Sequence, residues 1–418
     1  MRTILSARIS LLAILFPFSL CPAAHAAFSS SNIAVLRLAD GSASIDESAQ
    51  MLFLDEYDMV TGNWVSSCAI PSVGGAALTL SGRGEHDGHL TLSSNGQYLL
   101  FGGYRADAGA ANPVPQSSSV VNRVIGRVDS GWNVDTSTAL SDAYDRTDIT
   151  AVVSDDGSRF WTVGDGKYEN LSDFANGFKT PTTTGGLRYV SGPGASTSVN
   201  LSHVQSISYD DTGKVQGLWP DSIRSARIVD EQLYITTPAY ESFVNRGAYR
   251  TEDPLPVSDV DTPQNMIPVI TNTEGTGVDP KGKFVPKSDV VLLDLDPFVP
   301  GEDTAYTTGG KDDYEKWSLV GDTWIKHSTR LLPSGQEINA FDVFLDGTTV
   351  TLFAATDQGI YRLVDTAGYN ADFSSTFGVT PFIEAGFNTE FRGIAVLPEP
   401  GSLILLSLSG LVLLRRRS

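Results

Sequence analysis

Residues 90–101 read LTLSSNGQYLLF, two β-favouring runs on either side of Ser94-Asn95-Gly96. An Asn-Gly pair between such runs is a strong short-range hairpin signal, because the turn needs residues that accept positive φ. The unit recurs. Residues 149–163 (ITAVVSDDGSRFWTV) turn at Asp155-Asp156-Gly157, and residues 340–353 (AFDVFLDGTTVTLF) turn at Asp346-Gly347. Fainter copies cover residues 226–236 (ARIVDEQLYIT) and 288–295 (SDVVLLDL). Residues 123–128, 317–327 and 358–364 are further strand candidates. Gly96 and Gly157 stand 61 residues apart, and Glu231 and Gly347 stand 116 apart, or two steps of 58. A period near this length, filled by four short strands, predicts an all-β chain folded as a β-propeller of about six four-stranded blades. Seven shorter blades, or a pair of β-sandwiches, are the rival architectures.

Working outward from these hairpins, residues 391–396 (FRGIAV) look like the first strand of one more copy, left at the end of the body. Residues 32–38 (NIAVLRL) would then supply the next strand of the same blade. Joining both ends in one blade closes the ring and leaves no open sheet edge. Residues 170–186 and 240–286 are rich in Gly, Pro, Thr and Asn and are expected to form surface loops. No segment between residues 27 and 396 shows sustained helical periodicity.

Composition supports this reading. Of 418 residues, 41% are hydrophobic and 19% charged, a balance that can bury a core and excludes wholesale disorder. The 40 glycines and 21 prolines fit many turns and few long helices. A net charge of −20 argues against nucleic acid as a partner, since phosphate backbones require clustered Lys and Arg.

The first 26 residues read as a signal peptide. Arg2 and Arg8 form the basic start, residues 9–20 (ISLLAILFPFSL) the apolar stretch, and Ala24-His25-Ala26 a cleavage site before Ala27. Phe18-Ser19-Leu20 lacks the small residues of a lipid-attachment signal, so cleavage by signal peptidase is expected rather than lipidation at Cys21. Its removal leaves Cys68 as the one cysteine, which reads as a small buried hydrophobe and closes the disulfide option.

At the other end, Leu397-Pro398-Glu399-Pro400-Gly401-Ser402 precedes the apolar residues 403–414 (LILLSLSGLVLL) and Arg415-Arg416-Arg417. The apolar run is shorter than the ~20 residues of a stable membrane span. Arginines directly after it favour holding that end in the cytoplasm. Pro-Glu-Pro, a short hydrophobic helix and an arginine cluster, in that order, resemble the PEP-CTERM sorting signal of Gram-negative bacteria. The resemblance covers residues 397–418 and implies transient anchoring in the inner membrane through the C-terminal helix, and recognition by an exosortase. It further implies delivery to the cell surface or extracellular matrix, in association with exopolysaccharide and biofilm. The body at 27–396 is similar to uncharacterised propeller-type domains fused to such tails, through residues 32–40, 53–57, 90–104 and 391–396. That similarity carries no activity with it.

Processing sharpens the charge. Loss of Arg2, Arg8 and Arg415 to Arg417 leaves 24 basic residues against 49 acids, a net charge near −25. Such a surface repels anionic polymers unless divalent cations bridge them, which makes Ca²⁺ a candidate partner. Glu85-His86-Asp87-Gly88-His89 is the densest cluster of metal-ligand types. Alternation along a strand would send His86 and His89 apart, and a solvated loop is the plainer reading. Asp294, Asp296 and Asp303, with Asp289 and Glu302, offer oxygen ligands suited to Ca²⁺, although ordinary turn chemistry explains them as well. The six tryptophans suit packing between blades better than stacking on sugars.

No nucleophile elbow, metalloprotease helix, phosphate loop or dinucleotide fingerprint occurs. The expectation is therefore an exported, non-enzymatic surface or matrix protein that binds extracellular polysaccharide or a surface protein. The alternative is a polysaccharide hydrolase or lyase with paired carboxylates at the channel mouth.

Overall fold

The computed structural model describes residues 28, 31–84, 86–166, 184–201, 208–209, 215–216, 223–237, 247–258, 266–271, 289–308, 312–333 and 335–397. The signal peptide expected at 1–26 with its cleavage residues Ala24, Ala26 and Ala27, and the sorting segment from Pro398 onward, lie outside the described residues. So does Glu85.

Six four-stranded antiparallel sheets form the body, and we number them as blades in chain order from the one that holds both ends. Blade one runs Glu390–Leu397, Asn32–Leu38, Leu52–Asp58, Trp64–Ala69, innermost strand first. Blade two is Thr91–Leu92, Tyr98–Tyr104, Arg123–Asp129 and Val134–Leu140. Blade three is Ile149–Val153, Phe160–Gly164, Gly186–Val190 and Val199–Asn200. Blade four is Ser225–Val229, Gln232–Thr237, Gly247–Thr251 and Met266–Thr271. Blade five is Val290–Leu293, Thr304–Thr308, Asp313–Val320 and Thr323–Leu331. Blade six is Ala340–Asp346, Thr349–Thr356, Gly359–Asp365 and Ile383–Glu384. Two short ladders, Ala49–Gln50 with Leu80–Ser81 and Ser208–Tyr209 with Val215–Gln216, complete the described strands.

The innermost strand of blade one touches those of blades two and six, so the sheets close into a ring. Asn32 pairs with Leu397 and Leu38 with Glu390, which is the joining of the two ends that the repeat pattern predicts. The predicted tight turns form where the first two strands of a blade meet: Gly157 and Gly347 take φ of 80° and 60°. In blade four Asp230 and Glu231 adopt positive φ themselves, at 45° and 62°. That is why this copy of the hairpin lacks a glycine and reads faintly.

Six apolar clusters fill the six wedges between neighbouring blades. Leu36, Leu54, Leu99 and Phe101 join blades one and two. Leu100, Ile125, Val152 and Phe160 join two and three. Val153, Trp161, Ala226 and Ile235 join three and four. Tyr234, Ile270, Val290 and Ala305 join four and five. Tyr306, Tyr314, Leu352 and Leu363 join five and six, and Ile33, Val35, Phe353 and Phe391 close the circle. Trp132, Trp161 and Trp317 are buried in this packing, while Trp64 is exposed.

Two expectations need correction. Residues 240–286 are not all loop, because Gly247–Thr251 and Met266–Thr271 are the outer strands of blade four. Pro268, which lacks a donor, falls on the outermost strand, where a proline is tolerated. Residues 317–327 are not one strand either. Gly321, at φ 63°, turns the chain between Asp313–Val320 and Thr323–Leu331.

Candidate functional site at the propeller axis

Every innermost strand runs in the same direction along the axis, so equivalent positions on six blades meet there. Their leading ends bring together charged residues that are remote in sequence. Arg227, third in its strand, is the hub. Its Nε and Nη2 donate to Asp289 Oδ1 and Oδ2 at 3.3 and 3.0 Å, and its Nη1 donates to Asp342 Oδ1 at 3.0 Å. Nη2 also reaches the Phe341 carbonyl at 2.6 Å. Asp342 Oδ2 accepts from the Val396 amide at 2.8 Å. His89, from the opposite side of the ring, places Nδ1 3.9 Å from Asp289 Oδ2. Together these residues bridge blades one, two, four, five and six.

The electrostatics follow from burial. His89 has its pKa lowered, first by burial, with Asp289 opposing and Arg227 assisting, so it is neutral at neutral pH. Burial works against the charge of Arg227, but Asp289 and Asp342 outweigh it and raise its pKa. Asp342 is raised by burial despite Arg227 and the amides of Val396 and Val343. Two carboxylates share one guanidinium in this network.

Beyond the network the axis opens into a cavity of about 730 Å³. Leu92, Val153, Val229, Val291, Phe344 and Val396 are among its walls, one from each blade, and Arg227 and Asp342 reach it at the closed end. Leu345 and Asp346, at the trailing end of their strand, are exposed and mark the open end.

A second polar group lies towards the leading ends of blades one to four. Tyr104 Oη donates to Asp148 Oδ1 at 2.9 Å, and Arg224 Nη1 contacts both oxygens of Asp165 at 3.0 and 2.8 Å. Arg392 binds the carbonyls of Gly84 and Gly82 and Glu390 Oε2. Asp87 is buried here, and among the described residues neither carboxyl oxygen has a hydrogen-bond partner of good geometry. Burial first, and Asp148 second, push its pKa up to about 7, although Arg392 opposes the rise.

The predicted site residues are thus dispersed. His89 and Asp87, two residues apart, serve the axial network and the second polar group respectively. Residues two apart in a strand would share a face, so their separation follows from the turn at Gly88, φ 91°, between them. His86 is half-buried in the same loop. Asp303 is buried and accepts from the amides of Leu295 and Asp296 at 3.1 and 2.6 Å and from Thr304 Oγ1 at 2.7 Å. Asp296 accepts from the Phe298 amide at 3.0 Å, and Asp294 is exposed. The contacts of Asp296 and Asp303 are to backbone amides and a hydroxyl of the turn that holds them. Among the described residues no three His, Cys, Asp or Glu side chains gather so as to hold a metal ion.

Sequence reading missed Arg227 and Asp342 as site residues. The available signal was a charge in the middle of an otherwise apolar innermost strand, SARIV and AFDVFLD. Cys68 is buried and unpaired, and burial raises its thiol, which leaves it unreactive.

No protein-family model and no curated protein matches the chain. Several solved structures are similar in shape alone. A candidate 6-phosphogluconolactonase of Bacteroides fragilis aligns at TM-score 0.41 and 10% identity, over 83% of this chain and 82% of that one. A β-propeller domain of Myceliophteria thermophila aligns at 0.37 and 9%, over 83% and 90%. A protein of unknown function from Desulfotomaculum acetoxidans aligns at 0.36 and 10%, over 88% and 89% of the two chains.

Proposed function

We propose that this chain is an exported, non-catalytic propeller, sorted by an exosortase to the cell surface or matrix, where it binds extracellular polysaccharide or a surface protein. The observation that carries the reading is the ordered set Pro398-Glu399-Pro400, the apolar residues 403–414 and Arg415 to Arg417, behind a body that opens with a signal peptide. The Arg227 network is itself unsuited to hydrolysis. Glycoside cleavage needs two carboxylates free to act on opposite sides of one bond. Asp289 and Asp342 are both held by Arg227.

The test follows the protein in its host. Replacing Pro398, Glu399 and Pro400 with alanine makes the tail-bearing form accumulate in the membrane fraction, whereas the unaltered protein is recovered with extracellular polymer. Unchanged processing of the triple variant defeats the sorting reading. Release of shortened sugars when the purified protein meets that polymer replaces binding with the hydrolase or lyase alternative.

A further inference from the structure

The axial cavity has a chemistry of its own, independent of where the protein is sent. Its volume, about 730 Å³, falls within the ~300–1,000 Å³ of small-molecule sites. Aliphatic residues and Phe344 share its lining with Thr91, Ser154, Arg227, Asp342 and Asp346, so its accessible surface is as much polar as apolar. Among the described residues no three His, Cys, Asp or Glu side chains gather there to hold a metal ion, and the apolar half of the lining suits a ligand with an apolar part. The closed end is polar and unbalanced: Asp289 and Asp342 face the single charge of Arg227, and His89 is neutral. Arg227 is a poor anchor for an anion. Its Nε and both terminal nitrogens are already committed to Asp289, Asp342 and the Phe341 carbonyl.

The open end has the same sign. Asp346 is exposed at the rim. Asp230 directly follows Val229 of the cavity wall, and Asp294 directly follows the innermost strand of blade five; both are exposed. Burial, and then Asp230 and Asp294, hold the pKa of Glu302 above its ordinary value, which places these three acids near one another. A ligand entering here meets negative potential at the rim, partly apolar walls along its length and a surplus carboxylate at the end.

We propose that the axial cavity binds a small organic monocation, an ammonium group carried on an apolar body. The ammonium balances the surplus charge beside Asp342, and the body displaces water from the walls.

The test uses the full-length protein and three probes that share a 2-phenylethyl body, 2-phenylethylammonium, 2-phenylethanol and 3-phenylpropionate, titrated by ligand-observed NMR and calorimetry. The expected order of affinity is ammonium, then alcohol, then carboxylate. Asp346→Lys, at an exposed rim position, weakens ammonium binding about fivefold and leaves the alcohol unchanged. Val229→Trp fills the cavity and abolishes binding of the ammonium. Equal or tighter binding of the carboxylate overturns the proposal, as does the absence of saturable ammonium binding up to millimolar concentration. Full ammonium affinity in a folded Val229→Trp protein also overturns it. If that variant fails to fold, the Asp346→Lys comparison decides alone, and an unchanged ammonium affinity sinks the proposal.

Discussion

Asp87 is a buried acid whose protonation the fold shifts strongly. It is 3% exposed, its oxygens have no well-formed hydrogen bond among the described residues, and its carboxyl lies against the Cα of Gly84, where an added Cβ would stand 2.3 Å from Oδ1. A pKa pushed up to about 7 means that the folded state prefers the protonated acid. The sign follows from proton linkage. Between the unfolded value near 3.8 and about 7 the native state binds more protons than the unfolded state, so stability falls as pH rises through that window. A shift of this size corresponds to something on the order of 4 kcal/mol. Asp87→Asn removes the titration. It is expected to raise the melting temperature at pH 8 by roughly 2–6 °C and to do nothing comparable at pH 4. Thermal melts of the two proteins at both pH values check this, and equal melts at pH 8 refute it.

At the scale of elements, the wedge between blades five and six contains a polar insertion in an apolar cluster. Lys316 Nζ, fully buried, donates to Asp365 Oδ2 at 2.7 Å and to the Gly368 carbonyl at 2.7 Å. Tyr306 Oη donates to the same Asp365 oxygen at 2.8 Å, and Asp365 Oδ1 accepts from Ala367, Ser374 N and Ser374 Oγ. Burial alone would raise the carboxyl, yet Lys316 and these donors together hold it below its ordinary value. Its contribution is present above the unfolded value of 3.8 and is lost as pH falls through the depressed one. Lys316→Met strands that charge. The expected loss is about 3–5 kcal/mol, read from chemical denaturation at pH 7. Lys316→Met combined with Asp365→Asn should recover much of it, and a single variant as stable as the parent would show that the pair holds nothing together. Gly393 shows how tightly neighbouring blades approach: an added Cβ would lie 2.3 Å from the Gly88 carbonyl oxygen.

For the whole molecule, stability depends on closing the ring, since each wedge is filled from two blades and the strand Glu390–Leu397 supplies blade one from the far end of the chain. Ending the chain before Glu390 leaves Asn32–Leu38 as an open edge and removes Phe391, Ile394 and Leu397 from two clusters. Such a chain is expected to elute as aggregate in size-exclusion chromatography. A circular permutant with new ends in the loop between blades two and three, and the old ends joined, is expected to elute as the parent does, because no wedge is lost. A soluble, cooperatively melting truncated chain would contradict this account.

Periodicity and turn chemistry by themselves determined the all-β class, the hairpins at Gly96, Gly157 and Gly347, and the pairing of the first strand with the last. These are local or repeated features, and each copy of the repeat reinforces the next. The second hairpin of blade five and the outer strands of blade four were illegible for a local reason. Glycine and proline there mark a turn inside a hairpin and an edge strand rather than a loop. The meeting of His89, Arg227, Asp289 and Asp342 was decided by tertiary structure alone. Residues on four different blades become neighbours only because six strands converge on one axis, and no spacing along the chain encodes that convergence.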